Sequence, residues 1–164
     1  MLNLRELNAL NREDFTQVIG PVFEHSPWIA EQTWPLRPFE NREFLHAALC
    51  KTVADADKQA QLDLIRAHPD LVSRAVLTNE SRTEQASANL DQLSREEINL
   101  FEKYNLQYQE KFGFPFIICA RLNKKEAILD AFPVRLRNSP ETEIETALNE
   151  VFKIAELRLK DLVS

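Results

Sequence analysis

Glycine is nearly absent from this sequence, with Gly20 and Gly113 the two occurrences in 164 residues. That scarcity removes the turn chemistry on which tight β-hairpins and phosphate-cradling loops depend, and so disfavours sheet folds and Gly-rich nucleotide loops. Cysteine is as scarce: Cys50 and Cys119 stand far apart, match no metal or redox spacing, and read as reduced core thiols. Long apolar runs are missing too. The longest, Phe114 to Ala120, falls far short of the roughly 20 residues of a membrane-spanning helix, so no membrane partner is expected. Positive charge is not in excess: the net charge is -6 and the isoelectric point about 5.2, the opposite of the basic footprint that nucleic-acid phosphates require. Met1 to Leu7 carries charges where a signal peptide needs an apolar stretch, and Leu162-Val163-Ser164 is not a peroxisomal Ser-Lys-Leu address. A cytoplasmic location is expected.

What is present is helical patterning. With 44% apolar and 28% charged residues, the composition is that of a globular chain, and the length suits one domain over 1–164 whose core needs neither disulfide nor metal. Leu4, Leu7 and Leu10 recur at helical spacing, and Asn11 can cap a second helix that Gly20 would end. Ser26-Pro27, a cap followed by proline in the first turn, predicts a helix from Trp28 to Trp34 before Pro35 and Pro38 interrupt it. Phe44, Leu45, Ala48, Leu49, Thr52 and Val53 form one apolar stripe; Leu62, Leu64 and Ile65 belong to the next helix, ending near His68-Pro69. Ser81-x-x-Glu84 and Ser94-x-x-Glu97 both have the form of capping boxes, the second opening a helix through about Phe112 that Gly113 would stop. Ser139-Pro140 opens the last helix, Glu141 and Glu143 complement its dipole, and apolar positions run to Leu162. Phe114-Pro115-Phe116-Ile117-Ile118-Cys119-Ala120 fits none of this: too short and too apolar for a surface helix, it is either extended or the start of a buried helix. The expected fold is all-α, a single-domain helical bundle with a short apolar, non-amphipathic segment around 114–120.

Three residues break the pattern. At about 100° per residue, Ile144, Ala147, Leu148, Val151, Ala155 and Leu162 cluster within roughly 60° on the last helix, and Arg158 lies among them, about 20° from Val151. Glu145, Glu150, Lys153, Glu156 and Lys160 point elsewhere. A guanidinium on a buried stripe snorkels to water, pairs with a neighbouring carboxylate or meets an anionic ligand, since an unpaired buried charge is costly. His68 is held extended by Pro69, which fixes its imidazole; a structural or solvent-facing role and acid-base chemistry both remain open. Glu84 is explained by capping alone, or has a chemical task. Glu43-x-x-His46 has the spacing of di-iron carboxylate ligands, yet no second such motif accompanies it. With no His-Glu-x-x-His, clustered Cys or Gly-x-Ser-x-Gly, neither metal catalysis nor a serine triad has support.

Four segments carry a resemblance: Phe23-Glu24-His25-Ser26-Pro27-Trp28, His68-Pro69-Asp70-Leu71, Ser81-x-x-Glu84-Gln85 and Phe112-Gly113-Phe114-Pro115-Phe116. Together, and in this order, they resemble the 2-oxo-4-hydroxy-4-carboxy-5-ureidoimidazoline (OHCU) decarboxylase family, and Lys153 to Leu159 resembles its C-terminal helix. The resemblance implies an all-α, commonly dimeric enzyme of urate degradation that forms (S)-allantoin without a cofactor or metal. It implies His68 as the catalytic histidine, Glu84 as its acidic partner and Arg158 as a substrate-anion contact. Pro69, Ser81, Gln85 and the strip Phe116, Ile117, Ile118, Cys119 and Ala120 would line the pocket, the strip largely through backbone groups. One departure stands out. Where the family has Ala-Gly-Leu after the Glu-Gln pair, this chain has Ala88-Asn89-Leu90, and Asn is the residue that best tolerates a left-handed conformation after Gly.

The implied small-molecule substrate carries a carboxylate and a hydroxyl on one ring carbon beside a carbon–nitrogen double bond that can accept the electrons released with carbon dioxide. A substrate with its own electron sink needs no pyridoxal, thiamine or metal, and leaves the protein to orient it, stabilise charge and move protons. The reading from another class is a non-catalytic helical interaction module, with Arg158 and Glu84 as a structural ion pair and His68 incidental.

Overall fold

The computed structural model of the chain describes residues 1–72 and 77–164. Among these lie nine α-helices and, in place of strands, one isolated parallel bridge between Leu2 and Val163. The chain divides into two compact units, residues 1–67 with 152–164 and residues 68–151.

The first unit holds α1 (Leu4–Ala9), α2 (Arg12–Ile19), α3 (Trp28–Thr33), α4 (Arg42–Asp55), α5 (Lys58–Arg66) and the end of α9 (Pro140–Leu162). Side-chain caps start most of them: Asn3, Asn11, Asn41 and Asp57 each accept the backbone N–H three residues on, as helix entries demand. Ser26 does not cap α3. Its hydroxyl donates to Glu24 O at 2.8 Å instead, so the Ser-Pro entry keeps its place but not its expected bond. Helices α2 and α3 pack together, as do α3 and α4, burying Phe15, Ile19, Ile29, Leu45, Leu49 and Val53 completely. Phe44, read as part of the apolar stripe of α4, is instead 59% exposed.

The second unit holds α6 (Asn79–Ser87), α7 (Arg95–Phe112), α8 (Lys125–Leu136) and the first part of α9. Helix α7 begins with the Ser94–Glu97 capping box and ends at Gly113, whose φ of 76° places it in the left-handed region. Ser139 Oγ accepts from Thr142 N at 3.2 Å and opens α9. The other predicted box is absent. Thr78 caps α6 by accepting from Ser81 N at 3.1 Å, which moves Ser81 and Glu84 from the helix entrance into its body, both buried. Helix α8, which no capping signal announces, packs on α7. Phe132 of α8 stacks on Phe116 with ring centroids 3.9 Å apart and meets Phe101 edge-on at 6.1 Å. Residues 114–119 are neither helix nor strand, so the segment is irregular rather than the start of a buried helix, and Cys119 at its end is extended.

Candidate active site

The second unit gathers most of the predicted residues. His68 follows α5 at a half-buried bend, and the chain continues through half-buried Pro69 and Asp70 to buried Leu71. Burial pushes the Asp70 carboxyl above its ordinary range. Two side chains hold this segment. Asn105 Nδ2 of α7 donates to Leu71 O at 2.8 Å, and Val72 N donates to Gln85 Oε1 of α6 at 3.2 Å. Val72 sits at φ 59°, an uncommon and strained value for a β-branched residue, so these bonds hold a backbone that would otherwise relax.

Helix α6 presents Ser81, Glu84 and Gln85 at spacings of three and four, which puts them on one face. Ser81 is 6% and Glu84 9% exposed. Thr78 caps the helix, so capping is not what places the Glu84 carboxylate. The helix ends on the departure noted in the sequence: Asn89 takes φ 64°, Asn89 N donates to Ala86 O and Leu90 N to Gln85 O, a Schellman closure in which Asn does what Gly does elsewhere. The position of Gln85 is thereby fixed.

The end of the apolar strip lies against α6. Helix α6 packs on the turn Ala120–Leu122, and Lys124 Nζ donates to Ser87 O at 2.7 Å. The Cys119 thiol is pushed above its ordinary value first by burial, with the Glu150 and Glu84 carboxylates adding to it and backbone N–H groups of Leu122 and Arg121 opposing. Phe116, Ile117, Cys119 and Ala120 are buried and Ile118 half-buried. The backbone is fixed by polar side chains that sequence reasoning did not single out. Arg135 of α8 donates through Nη1 to Ile117 O, and Cys119 N donates to Glu150 Oε1 at 3.1 Å. Arg135 Nε donates to Glu143 Oε1 at 2.8 Å; that carboxylate also accepts from Tyr108 Oη at 2.6 Å and Asn138 Nδ2 at 2.9 Å. Burial and then the Glu143 bond raise the Tyr108 hydroxyl. Glu143, expected to serve the dipole of α9, and Glu150, expected to point away from the core, are therefore both buried and bonded. Helical periodicity misplaced them because a buried carboxylate that finds donors looks, in sequence, like a solvated one.

Arg158 lies in the first unit. Its Nη2 donates to Glu24 Oε1 at 2.8 Å and its Nη1 to Pro21 O at 3.0 Å, with the two side chains 5% and 1% exposed. Of the environments open to a guanidinium on that stripe, a carboxylate partner is present. Glu24 stands in the motif Phe23 to Trp28 but drew no role from sequence; its place in that motif was the one signal. Glu43 and His46 also fall in the first unit, beside a cavity of about 120 Å³ lined by Arg42, Glu43, His46, Glu156, Leu159 and Lys160, none of them a predicted site residue. His46 Nε2 lies 2.8 Å from Phe152 O and 3.4 Å from Cys50 Sγ. Among the described residues, no group of three or more His, Cys, Asp or Glu could hold a metal ion, and no helix is long and apolar enough to cross a membrane.

Comparison with known proteins gives one consistent result. The family model described as OHCU decarboxylase matches residues 8–160. The chain is 44% identical over 163 residues to 2-oxo-4-hydroxy-4-carboxy-5-ureidoimidazoline decarboxylase of Haloferax volcanii, covering 99% of this chain and 97% of that one. It is 38% identical to the uric acid degradation bifunctional protein PucL of Bacillus subtilis, covering all of this chain and 33% of that protein. Among solved structures it is similar to (S)-allantoin synthase, with a TM-score of 0.84 at 28% identity over 100% of this chain and 54% of that chain. It is also similar to an OHCU decarboxylase crystallised in the presence of (S)-allantoin, with a TM-score of 0.69 at 26% identity over 82% of this chain and 89% of that one.

Proposed function

The chain belongs to the OHCU decarboxylase family, and we propose from this that it removes the carboxylate of 2-oxo-4-hydroxy-4-carboxy-5-ureidoimidazoline to give (S)-allantoin in urate degradation. The observation that carries the reading is similarity along the whole chain to relatives named for that decarboxylation. The buried carboxylate of Glu84, close enough to the strip to act on the Cys119 thiol, supports it.

In this reading neutral His68 hydrogen-bonds or deprotonates the ring hydroxyl, and Glu84 orients and sustains its charge state as the second member of an acid–base pair. Electrons from the breaking carbon–carboxylate bond move into the ring's carbon–nitrogen double bond, and a proton delivered to one face of the planar intermediate sets the product's chirality. Arg158, held by Glu24, is the contact for an anionic group of the substrate. Ser81, Gln85, Pro69 and the strip of residues 116–120 orient the ring, and no cofactor takes part. The chain acts as a cytoplasmic homodimer folded as one domain over 1–164; resemblance to a dimeric family and two free thiols support this.

The test supplies enzymatically generated substrate to exhaustively chelated protein and follows carbon dioxide and optical rotation. Carbon dioxide released at a catalysed rate with optically active allantoin is expected; racemic product at the uncatalysed rate overturns the reading. His68→Asn is expected to retain the fold and lower turnover about 100-fold or more, the usual size of an acid–base contribution. Wild-type turnover in that folded variant removes His68 from the mechanism.

A further inference from the structure

The strip runs as irregular backbone over residues 116–119 before the turn Ala120–Leu122, and backbone outside helix and sheet has no hydrogen-bond ladder of its own to fix its course. Its course is set by one arginine. The Arg135 guanidinium lies 4.1 Å over the Phe116 ring while Nη1 donates to the carbonyl of the next residue, Ile117, so one planar group grips two consecutive residues by face and by edge. Glu143, 0% exposed, holds the guanidinium in place through Nε, and Phe132 stacks on the Phe116 ring at 3.9 Å. Two residues on, Glu150 accepts from Cys119 N. These two bonds fix the backbone on either side of half-buried Ile118.

Burying an arginine and a glutamate is not an economical way to stabilise a helical core, because apolar residues of like size do as well or better. What the charged cluster adds is direction. The geometry points to Arg135 as a positioning residue for the decarboxylation: it fixes the backbone at Ile118 against which a flat, amide-rich ring is oriented. This rests on the proposed function and on the strip's place in the pocket. Arg135 itself touches no reacting atom, so its loss is expressed as poorer substrate orientation and binding.

The experiment measures KM and kcat per folded molecule with enzymatically generated substrate for the wild type, Arg135→Met, Arg135→Lys and Tyr108→Phe. Positioning predicts that KM rises about tenfold in Arg135→Met while kcat stays within about threefold, since contacts made equally in the ground and transition states appear in KM. Arg135→Lys, which keeps a charge for Glu143 but not the planar fork, is expected to fall between, and decides the matter if Arg135→Met does not fold. Tyr108→Phe removes a bond from the same buried cluster but none from the strip; it is expected to lower the melting temperature and leave KM unchanged. A merely structural arginine would lower the melting temperature and the folded fraction, with KM and kcat per folded molecule at their wild-type values. An active wild type with unchanged KM in Arg135→Lys overturns the assignment, as does an equal KM rise in Tyr108→Phe. A wild type without activity overturns the proposed function together with it.

Discussion

Each of the two units buries an arginine against a glutamate, and the two pairs do different things with the same chemistry. In the second unit Glu143 accepts from Arg135, Tyr108 and Asn138, and the arginine also donates to Ile117 O and Tyr108 Oη. In the first unit Arg158 donates to Glu24 and to Pro21 O, while the neighbouring His25 imidazole, 67% exposed, comes within 3.7 Å of the other Glu24 oxygen. The first cluster is a closed network that holds backbone; the second includes a titratable group open to water. A buried ion pair is thus no single category, and what its members touch next decides its role.

The largest expected effect breaks the closed network. Glu143→Leu strands Arg135 without its carboxylate and is expected to lower the unfolding free energy by about 3–5 kcal/mol, measured by urea denaturation. Adding Arg135→Met should return most of that loss, because the charge that was stranded is gone. If the double variant stays as unstable as the single one, packing and not charge compensation accounts for the cluster.

Arg158→Met sharpens the contrast at a smaller cost. The variant strands Glu24, and a loss near about 3 kcal/mol is expected, with His25 able to share the charge in part. The companion Glu24→Leu/Arg158→Met should melt close to the wild type yet gain no protection from an anionic substrate analogue. Melting curves with and without analogue are the measurement. A wild-type increment in the double variant makes Arg158 a structural ion-pair member only.

Glu84 contrasts with Glu143 within the second unit, since it is buried but has no capping duty. Thr78→Ala should cost about 1 kcal/mol of stability with activity retained, as loss of an N-cap does. Glu84→Gln should leave the melting temperature within a degree or two while activity falls. The reverse result in the two variants would return Glu84 to the role of a cap.

The smallest effect concerns Asp70. Its carboxyl is raised by burial, so the folded chain holds that proton more tightly than the unfolded one; stability is lost as pH rises from the ordinary carboxylate range through the folded value, and the loss persists above it. Asp70→Asn is therefore expected to melt slightly higher than the wild type at pH 7, with the difference vanishing once both states of the wild type are protonated. A gain that persists at the acid end would trace to packing.

Much of this was legible without coordinates. Scarce glycine, Asn, Ser and Asp at helix entries, and Gly113 at the end of α7 determined an all-α chain, because caps and left-handed stops act within one turn and read the same in any context. The tolerance of Asn89 for a left-handed turn followed from residue type alone. The family motifs pointed to His68, Glu84 and Arg158. What the sequence could not determine was every fact that depends on partners distant along the chain. Thr78, which no sequence pattern singled out, caps α6 in place of Ser81. Arg158 meets Glu24 across 134 residues, and Arg135 meets Ile117 O across 18. Neither pairing leaves a periodic trace, since a charge that finds its partner in the interior and a charge that faces water are the same letter in sequence; only the fold supplies the low-dielectric surroundings that make the difference.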